Sequence, residues 1–166
     1  MKRKIIMSRG LIIGFMVFGI IACKKNKTAA GVPYLDELNL PASSNLIYTQ
    51  VGQKTPAGLV TKNKEGFLMY GPYQPFDAND YHLTINGKVL NNQKGKLLIV
   101  IAKNKGSVAI ATSEILMKNF TETETDTDID LASVDFSLTE PVDDLEVTAR
   151  VSADTNIIIT GYTISK

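Results

Sequence analysis

Short apolar segments recur along this chain about every ten residues from Leu46 onward, and clusters of Gly, Asn, Asp and Pro separate them. This spacing is typical of the strands in β-sandwiches and barrels, because a turn must reverse the chain after each strand. After residue 22, no segment keeps the 3.6-residue periodicity of an amphipathic helix. The sequence therefore predicts an all-β fold, an antiparallel β-sandwich, over residues 44–166.

The apolar runs place the strands of this sandwich. We predict them at residues 46–51, 58–62, 66–70, 80–86, 96–102, 106–112, 129–138, 144–151 and 156–164. In residues 145–151 the odd-numbered side chains are apolar and should face the core, while Glu146, Thr148 and Arg150 should face outward. Residues 97–102 are apolar at every position, which predicts a central strand covered on both sides.

Glycine-containing pairs mark the turns between strands. Asn86 and Gly87 can supply the positive φ of a tight hairpin, and Gly95 and Gly106, each after a lysine, predict two more reversals. Residues 34–38 and 113–118 are the best helical candidates, and both are equally compatible with an extended chain.

The N-terminus combines a cationic start with a short apolar run. Lysine and arginine occupy positions 2–4 and 9, and residues 11–22 contain no charged side chain. A helix of this length spans about 18 Å, well short of the roughly 30 Å hydrocarbon core of a bilayer. The pattern therefore predicts a signal peptide over residues 1–22.

Cys23, the single cysteine of the chain, follows this run directly. Residues 20–23, Ile-Ile-Ala-Cys, resemble the processing box of bacterial lipoproteins, and a chance or buried cysteine is the alternative. The resemblance implies that the Cys23 thiol is diacylglycerylated, that the chain is cut before it, and that the new N-terminus is acylated. Two or more acyl chains anchor a protein stably, so residues 23–43 are predicted to form a lipidated, flexible tether on a membrane of the cell envelope. No Asp follows the cysteine, which favours the outer membrane in a diderm host.

Two segments carry a second resemblance. Residues 66–73 read Gly-Phe-Leu-Met-Tyr-Gly-Pro-Tyr, and residues 76–81 read Phe-Asp-Ala-Asn-Asp-Tyr. With flanking segments from residue 46 to 164, they resemble galactose-binding-like β-sandwich modules, although Asn79 stands where we expect Gly. The resemblance implies a jelly-roll sandwich in a glycan context. It also implies that Tyr73 is a packing residue of the Gly-Pro-Tyr turn, which delivers Phe76 and Tyr81 to the core.

Charge and residue content exclude some classes of function. The net charge of the chain is +1, so it lacks the basic footprint of a nucleic-acid-binding protein. His82 is the single histidine, there is no tryptophan, and no nucleophile-elbow or metalloprotease motif is present. We therefore predict a protein that is not an enzyme and does not bind nucleic acid.

Three side chains on outward strand positions are the candidate ligand contacts. Arg150 is the single arginine after the signal peptide, and its planar guanidinium can hold a carboxylate or a pair of sugar hydroxyls. Glu146 shares its phase on the same strand, and His82 should face away from the core. A surface ion pair for Arg150 and plain solvent exposure for His82 are the alternatives.

An acidic run at residues 122–130 includes Asp126, Asp128 and Asp130. Their spacing matches the opening of a calcium-binding loop, but Leu131 and Ser137 stand where an EF-hand needs Gly and Glu. A solvated acidic loop at a strand edge is the favoured interpretation. A structural Ca²⁺ is the alternative, and no other cofactor is predicted.

Two functions fit these features. The first is a lipid-anchored, non-catalytic module that binds a glycan or another envelope ligand. The second is a structural or assembly accessory that binds a protein partner at the envelope. Exposed aromatic side chains around a groove would favour the first function, and a flat apolar patch would favour the second.

Overall fold

The computed structural model of the protein describes residues 27–90, 94–120 and 128–166. Within these residues the chain forms eleven strands and one short 3₁₀ turn, Met117–Asn119. The strands are β1 Leu38–Pro41, β2 Gly52–Thr55, β3 Gly58–Thr61, β4 Gly66–Met69, β5 Pro72–Phe76, β6 Asn79–Val89, β7 Lys96–Lys103, β8 Val108–Leu116, β9 Ile129–Leu138, β10 Val142–Val151 and β11 Ile157–Ser165. The described part of the chain contains no helix that is long and apolar enough to cross a membrane.

The strands form two antiparallel sheets. One sheet has the order β2-β3-β11-β6-β9, with β1 also paired to β11, and the other has the order β4-β10-β7-β8, with β5 also paired to β10. Every pair of these strands is antiparallel. The predicted all-β sandwich is therefore confirmed.

Alternating side chains from both sheets fill the core between them. On β10, Leu145, Val147 and Ala149 are fully buried, as their odd-numbered phase predicts. The same inner layer includes the phenyl ring of Phe76, which meets the ring of Tyr81 edge-on at 5.5 Å between centroids. The expectation that Phe76 and Tyr81 enter the core is confirmed.

The sandwich begins before residue 44, where the sequence placed the end of the tether. Strand β1 pairs with β11, and the side chains of Leu40 and Ala42 are buried. Residues 38–43 therefore belong to the folded domain, because burying two apolar side chains and a row of backbone hydrogen bonds stabilises this segment against the sheet. Residues 1–26, with the predicted signal peptide and Cys23, lie outside the described residues.

The predicted strand at residues 46–51 is wrong. This segment forms turns and a single bridge between Tyr48 and Tyr70, and its apolar signal arises because Ile47 is buried. The predicted hairpin at Asn86 and Gly87 is also wrong, because both residues lie inside β6. The pairing register shifts there, and a Cβ atom at position 87 would overlap the Ile158 carbonyl. Gly87 thus permits a close approach of two strands instead of a reversal.

The two other predicted glycine turns are confirmed, and neither of the two segments that were open between helix and strand forms an α-helix. Gly95 and Gly106 have φ values of +88° and +78°, and both lie in the predicted reversals beside β7. Of the two segments that were open between helix and strand, residues 113–116 continue β8 and residue 117 begins the 3₁₀ turn. Residues 34–38 are irregular up to the start of β1.

Candidate functional site

A groove of about 500 Å³ lies on the outer face of the five-stranded sheet. Strand pairing sets its location, because Glu146 pairs with Ala102 and Thr148 pairs with Val100. These four side chains alternate with core residues along β10 and β7, so they lie on the outer face of the sheet. We call it the outer groove and define it by its lining residues: Gln50, Phe67, Tyr70, Tyr73, Val100, Ala102, Lys105, Gly106, Glu146 and Thr148.

The floor of the outer groove explains why residues 97–102 are apolar throughout. Strand β7 lies inside its sheet, between β10 and β8, as a central strand should. Among residues 27–90, 94–120 and 128–166, however, no further layer covers its outer face, so the expectation that both faces are covered is wrong for the described part of the chain. Val100 and Leu98 are half-buried, and Val100 with Ala102 forms the apolar floor of the outer groove.

Aromatic rings form one wall of the outer groove. Phe67 is 42% exposed and Tyr73 is 37% exposed, so both rings present surface to solvent on the same side of the sheet. The ring of Tyr70 meets Phe67 edge-on at 6.2 Å and stacks on Tyr48 at 5.6 Å between centroids. Backbone hydrogen bonds in both directions between Tyr48 and Tyr70 hold this pair in place.

The Gly-Pro-Tyr segment turns Tyr73 toward this wall. Gly71 has a φ of +122°, where a side chain would meet the Leu46 carbonyl, and its own carbonyl accepts a hydrogen bond from the Val147 amide at 2.7 Å. Tyr73 itself has a φ of +57°, which is uncommon for a residue other than glycine, and its side chain lines the outer groove. The expectation that Tyr73 is chiefly a packing residue is therefore wrong, because its ring lies at the surface of the outer groove instead of in the core.

Glu146 occupies the base of the outer groove as a buried carboxylate. The residue is 6% exposed, although its strand phase points outward. The Tyr73 hydroxyl donates a hydrogen bond of 2.7 Å to its Oε1 atom. Burial, followed by this hydrogen bond to the carboxylate, raises the pKa of Tyr73 to about 12. The hydroxyl therefore stays protonated and remains a donor at neutral pH.

The turn between β7 and β8 packs against the side of the Glu146 carboxylate that Tyr73 does not contact. Both oxygens of the Asp144 carboxylate accept backbone hydrogen bonds in this turn, from the Asn104 amide at 2.9 Å and the Lys105 amide at 2.8 Å. A Cβ atom at position 106 would lie 2.6 Å from Oε2 of Glu146. Glycine at position 106 thus lets the turn pack against Glu146 without a side chain over this oxygen.

Arg150 lies on the same outer face but outside the outer groove. It is exposed, as predicted, and its Nη2 atom pairs with Oε1 of Glu65 at 2.9 Å. A separate depression of about 170 Å³ contains this pair together with Leu98 and Ser152. The structure therefore brings Arg150 and Glu146 to one face while engaging Arg150 in a surface ion pair.

His82 lies on the opposite side of the molecule. It projects from β6 in the six-stranded sheet, and its Nδ1 atom is 2.6 Å from Oδ1 of Asp135 on β9. The His82 side chain is 45% exposed, so it faces away from the core as predicted. His82 and the pair of Glu146 and Arg150 are thus on different sheets and cannot contact one ligand together.

The acidic run is described only in part. Asp126 lies outside the described residues, Asp128 is 3.7 Å from Nζ of Lys88, and Asp130 accepts a hydrogen bond of 2.9 Å from Asn86. Among residues 27–90, 94–120 and 128–166, no three acidic, histidine or cysteine side chains are grouped as metal ligands. The calcium hypothesis therefore rests on the sequence alone.

Sequence reasoning missed much of the outer groove. It did not assign Phe67, Gln50 or Val100 to a site. The available signal was the outer apolar positions of residues 97–102, because a strand with apolar side chains on an uncovered face indicates a binding surface. The pairing of Phe67 on β4 with Arg150 on β10 could not be found from sequence spacing.

Comparison with solved structures identifies the architecture. The chain superposes on the C-terminal CBM6 of LamC, a marine laminarinase from Zobellia galactanivorans, with a TM-score of 0.52, covering 78% of this chain and 99% of that one at 15% identity. It superposes equally on the CBM36-1 domain of a multidomain xylanase from the hindgut metagenome of Trinervitermes trinervoides, with a TM-score of 0.52, covering 78% and 97% at 14% identity. The chain has the fold of carbohydrate-binding modules.

A larger protein contains the same fold as one part. A two-domain esterase active on acetylated mannans matches with a TM-score of 0.50 at 10% identity, over 80% of this chain and 36% of that one. No protein-family model and no curated protein sequence matches this chain. At these identities the likeness to carbohydrate-binding modules shows the fold alone.

Proposed function

We propose that this chain is a lipid-anchored protein of the cell envelope whose β-sandwich binds a glycan in the outer groove without catalysing a reaction. The observation that carries the proposal is the wall of half-exposed aromatic rings beside a buried carboxylate. Phe67 and Tyr73 present ring surface to solvent, and an apolar floor continues from them. A pyranose ring has an apolar face that packs on such a wall and hydroxyls that bond to polar groups around it.

The polar groups of the outer groove are of the kind that sugar hydroxyls require. The Glu146 carboxylate accepts hydrogen bonds, and the Gln50 side chain both donates and accepts them. A groove that combines a few polar groups with apolar and aromatic surface is the usual form of a small-molecule site. The described face thus matches exposed aromatic residues around a groove more closely than a flat apolar patch, which favours a glycan over a protein partner.

The set of titratable side chains in the described lining of the outer groove fits a binding role. Among the described residues that line the outer groove, Glu146 is the one carboxylate, and none is a histidine. Hydrolysis of a glycosidic bond generally needs two carboxyl groups about 5–10 Å apart on either side of the bond. Glu146 can position a sugar, but the described lining of the outer groove does not supply it with this partner.

The anchor part of the proposal rests on the sequence. Cys23 follows an apolar run after a cationic start, and residues 24–31 are polar or small. A diacylated Cys23 would hold the sandwich close to a membrane, in the outer membrane if the host is diderm. A short tether would then leave the outer groove free to meet glycans of the envelope or its surroundings.

The test is a glycan array with the full-length protein purified in detergent, followed by calorimetry on the glycans that bind. Phe67→Ala removes an exposed ring of the wall and should weaken binding about tenfold, since tenfold corresponds to about 1.4 kcal/mol and one ring contact supplies energy of that order. Val32→Ala is the matched control, because Val32 is 48% exposed but does not line the outer groove.

Two results would overturn the proposal. The array could show no glycan above background, or binding could be equally weakened by Phe67→Ala and Val32→Ala. A protein partner captured in place of any glycan, at a surface that includes Phe67, would replace the proposal with the assembly-accessory function.

A further inference from the structure

Glu146 differs from the other acidic side chains of the described chain in its surroundings. Its side chain lies at the base of the outer groove, and the residue is 6% exposed. Tyr73 donates to Oε1, while no described residue donates a hydrogen bond to Oε2. Oε2 lies against Gly106, the position that carries no side chain to cover it. The outer groove therefore contains a carboxylate oxygen with unused acceptor capacity.

The described residues also leave this carboxylate without a cationic partner at ion-pair distance. Arg150 is engaged with Glu65 at 2.9 Å, and Lys103 is engaged with Glu140 at 2.9 Å. Lys105 lines the outer groove, but it is exposed and forms no ion pair with Glu146. A buried carboxylate is costly unless a positive charge or several donors compensate it, so a cation entering the groove would gain more here than at the surface.

The aromatic wall also favours a positively charged ligand group. The faces of Tyr and Phe rings carry partial negative charge and attract ammonium groups within about 6 Å of their centres. Phe67, Tyr70 and Tyr73 all line the same groove as Glu146. An ammonium group there would meet ring faces and a carboxylate together, whereas a carboxylate or sulfate on a sugar would be repelled by Glu146.

We propose that the outer groove selects glycans that carry a protonated primary amine on the sugar ring, with Glu146 as the counter-charge. The proposal rests on the proposed glycan-binding function and names the class of sugar. The ammonium donates to Oε2 of Glu146, Tyr73 holds the carboxylate through Oε1, and the ring of the sugar packs on the aromatic wall. Such a group is found in a hexosamine that lacks its acetyl group.

The test uses matched oligosaccharides that differ at one position. There are three sets of oligosaccharides, built on glucose, galactose or mannose. Within each set, one member has a free amine at the second carbon of every unit, one has an N-acetyl group there, and one has a hydroxyl. Calorimetry with the full-length protein in detergent should show at least about tenfold tighter binding of the amine form in the best-binding set, as expected of a charge-assisted contact in a desolvated groove. Added salt should reduce this preference more than it reduces binding of the neutral forms.

Two variants assign the preference to its source. Glu146→Gln keeps an acceptor for the Tyr73 hydroxyl but removes the charge, so the ratio of amine-form to neutral-form affinity should fall to about one, whatever the change in the affinity of the neutral forms. Glu140→Gln is the matched control, because it removes the same charge at an exposed carboxylate that pairs with Lys103. Lys105→Met leaves Glu146 in place and removes a positive charge from the groove, so the ratio of amine-form to neutral-form affinity should rise a few-fold.

The outcomes separate this inference from the function on which it rests. Neutral forms that bind as tightly as the amine forms would overturn the inference and leave glycan binding intact. An amine preference that survives Glu146→Gln in a protein that melts like the wild type would also overturn it. If Glu146→Gln fails to fold, an unchanged preference in Lys105→Met decides against it. No binding of any sugar would overturn the proposed function itself, and the inference with it.

Discussion

The hydrogen bond between Tyr73 and Glu146 yields a direct test of the groove's architecture. Tyr73→Phe removes the hydroxyl that donates to Oε1 of Glu146 at 2.7 Å and keeps the ring. The carboxylate then loses its one described side-chain donor while it stays buried. We expect the variant to fold to the same structure with a lower free energy of unfolding.

The size of this loss in unfolding free energy depends on the charge of the acceptor and on how well water can replace the donor. A hydrogen bond to a charged group contributes about 1.5–3 kcal/mol, and the lower end applies here because Tyr73 is 37% exposed and water can reach the vacated position. We therefore expect a loss of about 1.5 kcal/mol. For a domain of this size, 1 kcal/mol corresponds to a fall in melting temperature of roughly 2–4 °C.

The assay is thermal and denaturant unfolding followed by circular dichroism at pH 7. Tyr34→Phe is the matched control, since its hydroxyl donates to Asp143 over a similar distance of 2.9 Å but at an exposed site. Water replaces that partner freely, so the control should unfold like the wild type. A double variant with Glu146→Gln should lose less than the sum of the two single losses, because both act on one hydrogen bond.

One result would refute this reasoning. If Tyr73→Phe and Tyr34→Phe both unfold like the wild type, the carboxylate of Glu146 is well solvated in solution. Water would then have free access to the base of the outer groove, and Glu146 would not lie in a desolvated site.

Four further predictions follow from other parts of the chain. Burial raises the pKa of Tyr81 to about 12 from its ordinary value of 10.0. The protonated Tyr81 hydroxyl therefore contributes stability below pH 10, and this stability is lost as the pH rises through 12. Tyr81→Phe should make the melting temperature fall less steeply between pH 10 and 12. The hydroxyl of Tyr162 is buried without a hydrogen-bond partner among the described residues, so Tyr162→Phe should raise the free energy of unfolding by up to about 1 kcal/mol in denaturant melts. Cys23→Ser should leave an uncut precursor that incorporates no palmitate analogue, and label in that variant would contradict lipidation. Millimolar Ca²⁺ should leave the melting temperature unchanged, whereas a saturable rise that is lost when the aspartates of residues 126–130 become asparagine would show a calcium site.

The strands could be predicted from sequence where one face is apolar and the other polar. Strand β10 is the clearest case, because its alternation between residues 145 and 151 matches the burial of its inner face. The failures occur where a local signal has a tertiary cause. Ile47 is buried by packing rather than by pairing, and Gly87 is required by a neighbouring carbonyl rather than by a turn. Strand β5 escaped prediction because Pro72 and Pro75 interrupt its pattern.

The candidate site was only partly predictable for a similar reason. Glu146 could be named because it occupies an outward position beside core residues, but its burial depends on Tyr73 and on the turn at Gly106, which approach it from distant parts of the chain. Arg150 attracted attention as a rare side chain, yet Glu65 on another segment neutralises it. Sequence alone identifies which side chains leave the core, whereas tertiary neighbours decide which of them stay accessible to a ligand.

The position of β11 has a consequence for how this protein is made. It lies inside the six-stranded sheet, between β3 and β6, and it also pairs with β1, although it follows every other strand along the chain. A chain that emerges from the ribosome or crosses a membrane from its N-terminus exposes β1, β3 and β6 before their common partner arrives. These three strands present unpaired backbone groups during that interval and are open to association with other chains. Nascent chains interrupted before residue 157 are therefore expected to be substrates for chaperones and proteases.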